Sequence, residues 1–168
     1  MYKADVINSI KDKLIASKET VAVAESVTSG HLQAALSLAE NASLFYQGGL
    51  TAYNLGQKCR HLDIEPIQAE NCDCVSKDVA IKMAVAISKK FLSSWGIGIT
   101  GYATPVPGKT SDNLYAYYAI VHNGEPIVAK KITTPQTNAM EAQVHYTNTV
   151  LEQLELLVEK LQAIPALT

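Results

Sequence analysis

The chain has 168 residues, a formal net charge of -2 and a pI near 6.1, and its basic residues form no long run. Such a balance offers no surface for neutralising phosphates, so nucleic acid and membrane are not expected as partners. A chain of this length buries roughly 70% of its extended surface, enough for one core, and a single domain over residues 1–168 is expected.

The N-terminus is an amphipathic charged segment rather than a basic region followed by an apolar run. No apolar stretch reaches the about 18 residues needed to span a bilayer, so a cytoplasmic protein is expected. Cys59, Cys72 and Cys74 form an odd set that closes no disulfide framework. Zinc needs about four ligands, and Cys72-Asp73-Cys74 has no second Cys or His pair nearby in sequence, so no metal is expected.

Residues 3–18 place Val6, Ile7, Ile10, Leu14 and Ile15 on one helical face. Val21 to Ala24 is a short buried strand, a helix follows from about Gly30 to Ala39, and Gly48 to Tyr53 reads as the next strand. Asn54 caps a short helix carrying Lys58 and ending near Leu62, and Ser76 caps a longer one through about Leu92. Trp95 to Thr100 is an apolar run with glycines, typical of a central strand meeting another backbone closely. Tyr115 to His122, Asn123-Gly124 and Ile127 to Ile132 form a hairpin, and Asn138 to Leu161 is a long helix with one apolar stripe. Alternating helices and strands followed by an antiparallel pair predict an α/β protein, a three-layer α/β/α fold with a mixed sheet.

Ligands in such sheets bind beyond the carboxyl ends of the strands. That rule gathers the Ser26 turn, the Tyr53–Lys58 segment and the Gly101–Asn113 loop in one crevice, with Gly101, Ala103 and Thr104 on its wall. Ala22 to Gly30 is the most informative stretch: a strand that stops on Glu25 and Ser26 and turns through small residues into a helix. It sets a hydroxyl before a helix N-terminus, where free N–H groups stabilise an anion or the oxyanion of an attacked carbonyl. The same turn also suits a merely structural cap.

A serine needs a base. None of His31, His61, His122 and His145 is paired in sequence with an acid suited to orient it, so nothing supports a Ser-His-Asp triad. Lys58 lies on the rim of the crevice and serves as a base only if desolvation or a nearby cation lowers its pKa; otherwise it is a solvated charge. Tyr53 either relays a proton or packs at the strand end. Gly108-Lys109-Thr110 lacks the first glycine of a phosphate-binding P-loop, because Ala103 stands there and a strand follows.

Four collinear segments carry a resemblance: Ala24 to Gly30; Phe45 to Tyr53 with Lys58 five residues on; Val75 to Ala80; and Ile99 to Pro105. Together they resemble the C-terminal domain family of the competence/damage-inducible protein CinA, over nearly the whole chain. The resemblance implies an α/β/α layer fold that tends to dimerise. It also implies a metal-free, cofactor-free nicotinamide-nucleotide amidase, which turns nicotinamide mononucleotide into nicotinic acid mononucleotide and ammonia. Ser26 is then the nucleophile, Lys58 its base and Tyr53 a supporting hydroxyl. Backbone N–H groups around Thr28, Ser29 and Gly30 bind the oxyanion, and Glu25 orients the turn or a substrate hydroxyl.

The chain departs from that pattern in its loops. Thr28-Ser29-Gly30 replaces Thr-Gly-Gly, which a turn accepts if φ stays negative at Ser29. Leu55 and Gly56 stand for Asn and Glu, and Thr104 to Gly108 replaces a Gly-Pro-Asp-Gly-Gly run. Asp112 to Ala116 replaces a Lys-Pro-Val-Gly-Thr-Val segment. These changes alter the pocket more than the frame and leave a competing reading, a ligand-binding or interaction domain that has lost turnover.

Overall fold

The computed structural model describes residues 1–110, 113–135 and 138–163. In chain order the elements are α1 (Ala4–Ser17), β1 (Val21–Glu25), α2 (His31–Ser37), β2 (Tyr46–Thr51), α3 (Leu55–Leu62) and α4 (Pro66–Asn71). Then come α5 (Lys77–Lys90), β3 (Trp95–Gly101), β4 (Leu114–His122), β5 (Glu125–Thr134) and α6 (Ala139–Gln162), and a 3-10 turn spans Ala42–Leu44. The two caps read from sequence are in place, Asn54 accepting from Gln57 N and Ser76 from Val79 N, and Asn138 also caps α6 by accepting from Met140 N and Glu141 N.

The sheet runs in the order β2-β1-β3-β4-β5. Strand β1 is parallel to both β2 and β3, whereas β3, β4 and β5 are antiparallel neighbours. Alternation along the strands divides the core. Val21, Val23, Ile97 and Ile99 pack with α1, α2 and α6, while Ala22 and Ala24 meet α3, α4 and α5 on the other face. The result is a mixed α/β/α sandwich.

Small residues face α5 for a steric reason. A Cβ on Gly98 would sit 2.3 Å from the Ala80 carbonyl oxygen, and one on Gly96 would sit 2.3 Å from that of Ala84. The glycines let α5 lie directly on β3, which fixes the segment before α5 against the strand's carboxyl end. There Thr100 Oγ1 donates to the Cys74 carbonyl at 2.7 Å.

Candidate active site

Ser26 follows β1 directly, and the sheet holds its backbone. Its N–H donates to the Ile99 carbonyl at 3.1 Å, and the preceding Glu25 carbonyl accepts from Ala52 N at 2.8 Å. Glu25 itself is fully buried, and its carboxyl oxygens accept from Gly30 N (3.1 Å), Leu32 N (3.0 Å) and Gln33 N (2.9 Å). It therefore caps α2 and fixes the turn. Fully buried behind these three backbone donors and absent from the cavity lining, it is out of reach of a substrate hydroxyl.

Two expectations about this turn are corrected. Ser29 has φ +47, in the left-handed region, and Gly30 has φ +100. The chain needs both residues there to reverse from β1 into α2. Ser29 N and Gly30 N do not serve as oxyanion donors, since they bond to the Ser26 carbonyl (3.2 Å) and to Glu25. Among the described residues, Val27 N and Thr28 N have no acceptor, and Val27 lines the cavity, so the free donors lie one step nearer the nucleophile. Thr28 Oγ1 is buried and has no partner among the described residues. An L-residue in the left-handed region costs about 1–2 kcal/mol, partly recovered through glycine's freer unfolded chain. Ser29→Gly is accordingly expected to raise Tm by about 2–4 °C, and thermal unfolding of the two proteins checks this.

Lys58 enters from the first turn of α3. Its side chain is only 2% exposed, with Nζ 2.8 Å from Ser26 Oγ and 3.3 Å from the Tyr53 carbonyl oxygen, to which it donates. Burial holds the amine below its ordinary pKa, against the opposing pull of Cys74, Asp73 and Cys59. No solvated lysine has these surroundings. Tyr53 lines the same cavity with a largely exposed side chain, and its backbone carbonyl accepts from the Lys58 amine. The histidines stand apart from Ser26, with His31 on the Tyr2 hydroxyl at 2.6 Å and His122 on Glu19 at 2.6 Å.

Ser26 and Lys58 lie in a cavity of about 470 Å³ whose wall includes Gly101, Ala103 and Thr104. Thr28, Ser29 and Gly30 are not among the residues that line it. The wall also holds residues that the sequence reading weighed only as a metal motif and did not place at the site. Asp73 and Cys74, at the approach to α5, have φ +54 and +58. Asp73 Oδ2 accepts from the Tyr102 hydroxyl at 2.8 Å and pairs with Lys109 Nζ at 2.6 Å. The Lys109 ammonium and then the Tyr102 hydroxyl hold the Asp73 carboxyl below its usual range. From α6, Gln143 donates to the Val27 carbonyl at 2.9 Å and Tyr146 to the Tyr102 carbonyl at 3.1 Å, bracing both sides of the opening.

The family model of the CinA C-terminal domain matches residues 3–158. The chain belongs to this family. A CinA-like protein of Prochlorococcus marinus is 31% identical over 157 residues, covering 92% of this domain and 37% of that protein. A Picosynechococcus CinA-like protein is 41% identical over 96 residues, 57% of this CinA-type domain. The chain spans 23–25% of the length of four CinA-like proteins that it matches at 34–41% identity. Among solved structures, the competence damage-inducible protein A of Klebsiella pneumoniae superposes with a TM-score of 0.85 at 21% identity, covering 97% of this chain and 99% of that one. That likeness is one of fold.

Proposed function

We propose that this CinA-type domain is a Ser/Lys amidohydrolase of small carboxamides that needs no metal or cofactor, with nicotinamide mononucleotide the substrate suggested by the family resemblance. The 2.8 Å approach of Lys58 Nζ to Ser26 Oγ, both buried at the cavity floor, carries this reading. A neutral amine at that distance accepts the hydroxyl proton as Oγ attacks the amide carbon. Negative charge then gathers on the former carbonyl oxygen, for which the Val27 and Thr28 N–H groups are the free donors beside the nucleophile. Collapse of the adduct breaks the C–N bond, and the lysine ammonium gives its proton to the leaving nitrogen, which departs as ammonia. Water then adds to the acyl ester, returning its proton through Lys58 to Ser26 Oγ. The acid leaves and the starting state is restored.

The test is ammonia release from nicotinamide mononucleotide and from unphosphorylated carboxamides, with the acid product measured alongside. Ammonia and acid in equal amounts, unaffected by a chelator, are expected. No ammonia from any of these amides, under conditions where the protein is folded, overturns the reading. In that case the domain retains the frame without turnover.

A further inference from the structure

Each of the two free donors beside the nucleophile belongs to a peptide unit whose carbonyl is held from elsewhere. The Val27 N–H shares its unit with the Ser26 carbonyl, and that oxygen accepts from Ser29 N at 3.2 Å and from Ser29 Oγ at 3.4 Å. The Thr28 N–H shares its unit with the Val27 carbonyl, and that oxygen accepts from Gln143 Nε2 at 2.9 Å. A trans peptide is planar, with its C=O and N–H pointing opposite ways, so a bond that fixes the oxygen also fixes the hydrogen.

The first anchor is local. The bond from Ser29 N to the Ser26 carbonyl closes a four-residue turn, and neither Val27 nor Thr28 has a positive φ. That is the pattern of a type I turn, whose successive N–H groups lie on one side and converge on a single anion. The second anchor comes from 116 residues further along the chain. Gln143 stands on α6 between Ala142 and Tyr146, both fully buried, and Tyr146 is tied in turn to the Tyr102 carbonyl. The core therefore holds the donor of this bond in place, independently of the turn that it reaches.

We propose that Gln143 is a positioning residue of the oxyanion site, holding the Val27–Thr28 peptide unit so that the Thr28 N–H stays beside that of Val27 and the two serve together. This rests on the amidase reading and deepens it, by adding the group that sets the geometry of the hole. Gln143 acts through the backbone alone: it moves no proton and holds no substrate atom. Without it the Val27 carbonyl loses its partner, the peptide unit is free to rotate, and the Thr28 N–H leaves the line of its neighbour. The loss is felt in the transition state, because only there does the substrate oxygen carry a full negative charge.

The experiment measures ammonia release from nicotinamide mononucleotide by the wild type, Gln143→Leu and Gln143→Glu. Leucine keeps much of the volume and the helix propensity, and ionised glutamate keeps the shape but has no proton to donate. Both are expected to lower kcat by about ten- to hundredfold, less than deletion of a donor because the N–H is still present. KM is expected to change by less than about threefold. The pH of half-maximal activity should stay where it is, since Lys58 keeps its bonds to Ser26 and Tyr53. A merely structural role would move KM and that pH together with kcat. Calorimetric binding of the mononucleotide to Ser26→Ala is expected to be the same with and without Gln143→Leu. Acylation by p-nitrophenyl acetate supplies a readout that needs no amide: Ser26 Oγ attacks the ester carbon, the acetyl group stays on Oγ and p-nitrophenolate leaves as a burst. That burst is expected to slow in Gln143→Leu by about the same factor as kcat. The inference is overturned if kcat and the burst rate are unchanged in either variant, or if the loss lies in KM and binding alone. A burst that slows in Gln143→Leu, in a protein that releases no ammonia, supports the positioning role while sinking the amidase reading. Neither burst nor ammonia from the folded wild type overturns both.

Discussion

Replacing Lys58 by methionine is expected to lower kcat/KM for amide hydrolysis by about two to four orders of magnitude, the usual contribution of a general base. Methionine fills much of the same volume without a proton acceptor, so the packing between α3 and the Ser26 turn survives. Ser26→Ala removes the nucleophile and is expected to fall at least as far. Because both residues serve one proton transfer, the double variant should be little worse than the poorer single one. Near-additive losses in the double variant would show that the two groups do not work as a unit.

The same substitution gives a second readout, in stability. Burial lowers the pKa of Lys58, so between its folded value and the ordinary lysine value of 10.5 the unfolded chain binds more protons than the folded one. Stability of the wild type therefore rises with pH across that window. The charged form is penalised throughout the range below it. Lys58→Met removes this slope and is expected to be more stable than wild type at neutral pH, although less active. Activity of the wild type should likewise rise with pH as the amine loses its proton, levelling off below the pH at which a solvated lysine titrates. Denaturant unfolding at several pH values and a pH–rate profile check the two limbs.

Helices with a sustained apolar stripe were legible in the sequence to within a residue or two, since α1 and α6 bury the faces that their spacing marks. The glycine-rich run of β3 also revealed its close approach to another backbone. Helix α4 was missed because its six residues carry no period. Its signal is local instead: Glu65 accepts from Ile67 N and Gln68 N, and Pro66 occupies the first turn. Strand β2 begins at Tyr46, two residues before the expected Gly48, because glycine marks a strand limit by propensity whereas here it is paired within the strand. At the site, the nucleophile after a strand, the base on the next short helix, and the Gly101, Ala103 and Thr104 part of the wall are visible in the sequence. The contacts that brace the wall are not. Asp73 meets Tyr102 across 29 residues and Gln143 meets Val27 across 116, and contacts made by the closing of the sheet leave no local pattern to read.

Glu25→Ala is expected to destabilise the fold by about 3–5 kcal/mol, more than any other single change around the site, because it removes a buried polar hub while leaving its partners behind. Three backbone N–H groups, of Gly30, Leu32 and Gln33, then lose their acceptor at the buried entrance to α2. Water cannot replace the carboxyl group cheaply, since the position is fully buried beneath the turn. Glu25→Gln separates shape from chemistry. Its oxygen still accepts, but its NH₂ confronts backbone donors, so a substantial part of the loss should remain despite the conserved volume. The functional consequence follows from position. Glu25 is bonded through its backbone to β2 and through its side chain to α2, and Ser26 is the next residue. Loosening this hub displaces the hydroxyl relative to Lys58, which is anchored independently on α3. Glu25→Gln is therefore expected to lower kcat even at temperatures where circular dichroism shows it fully folded. Unchanged turnover in a folded Glu25→Gln protein would mean that the Ser26 turn holds its shape without the cap.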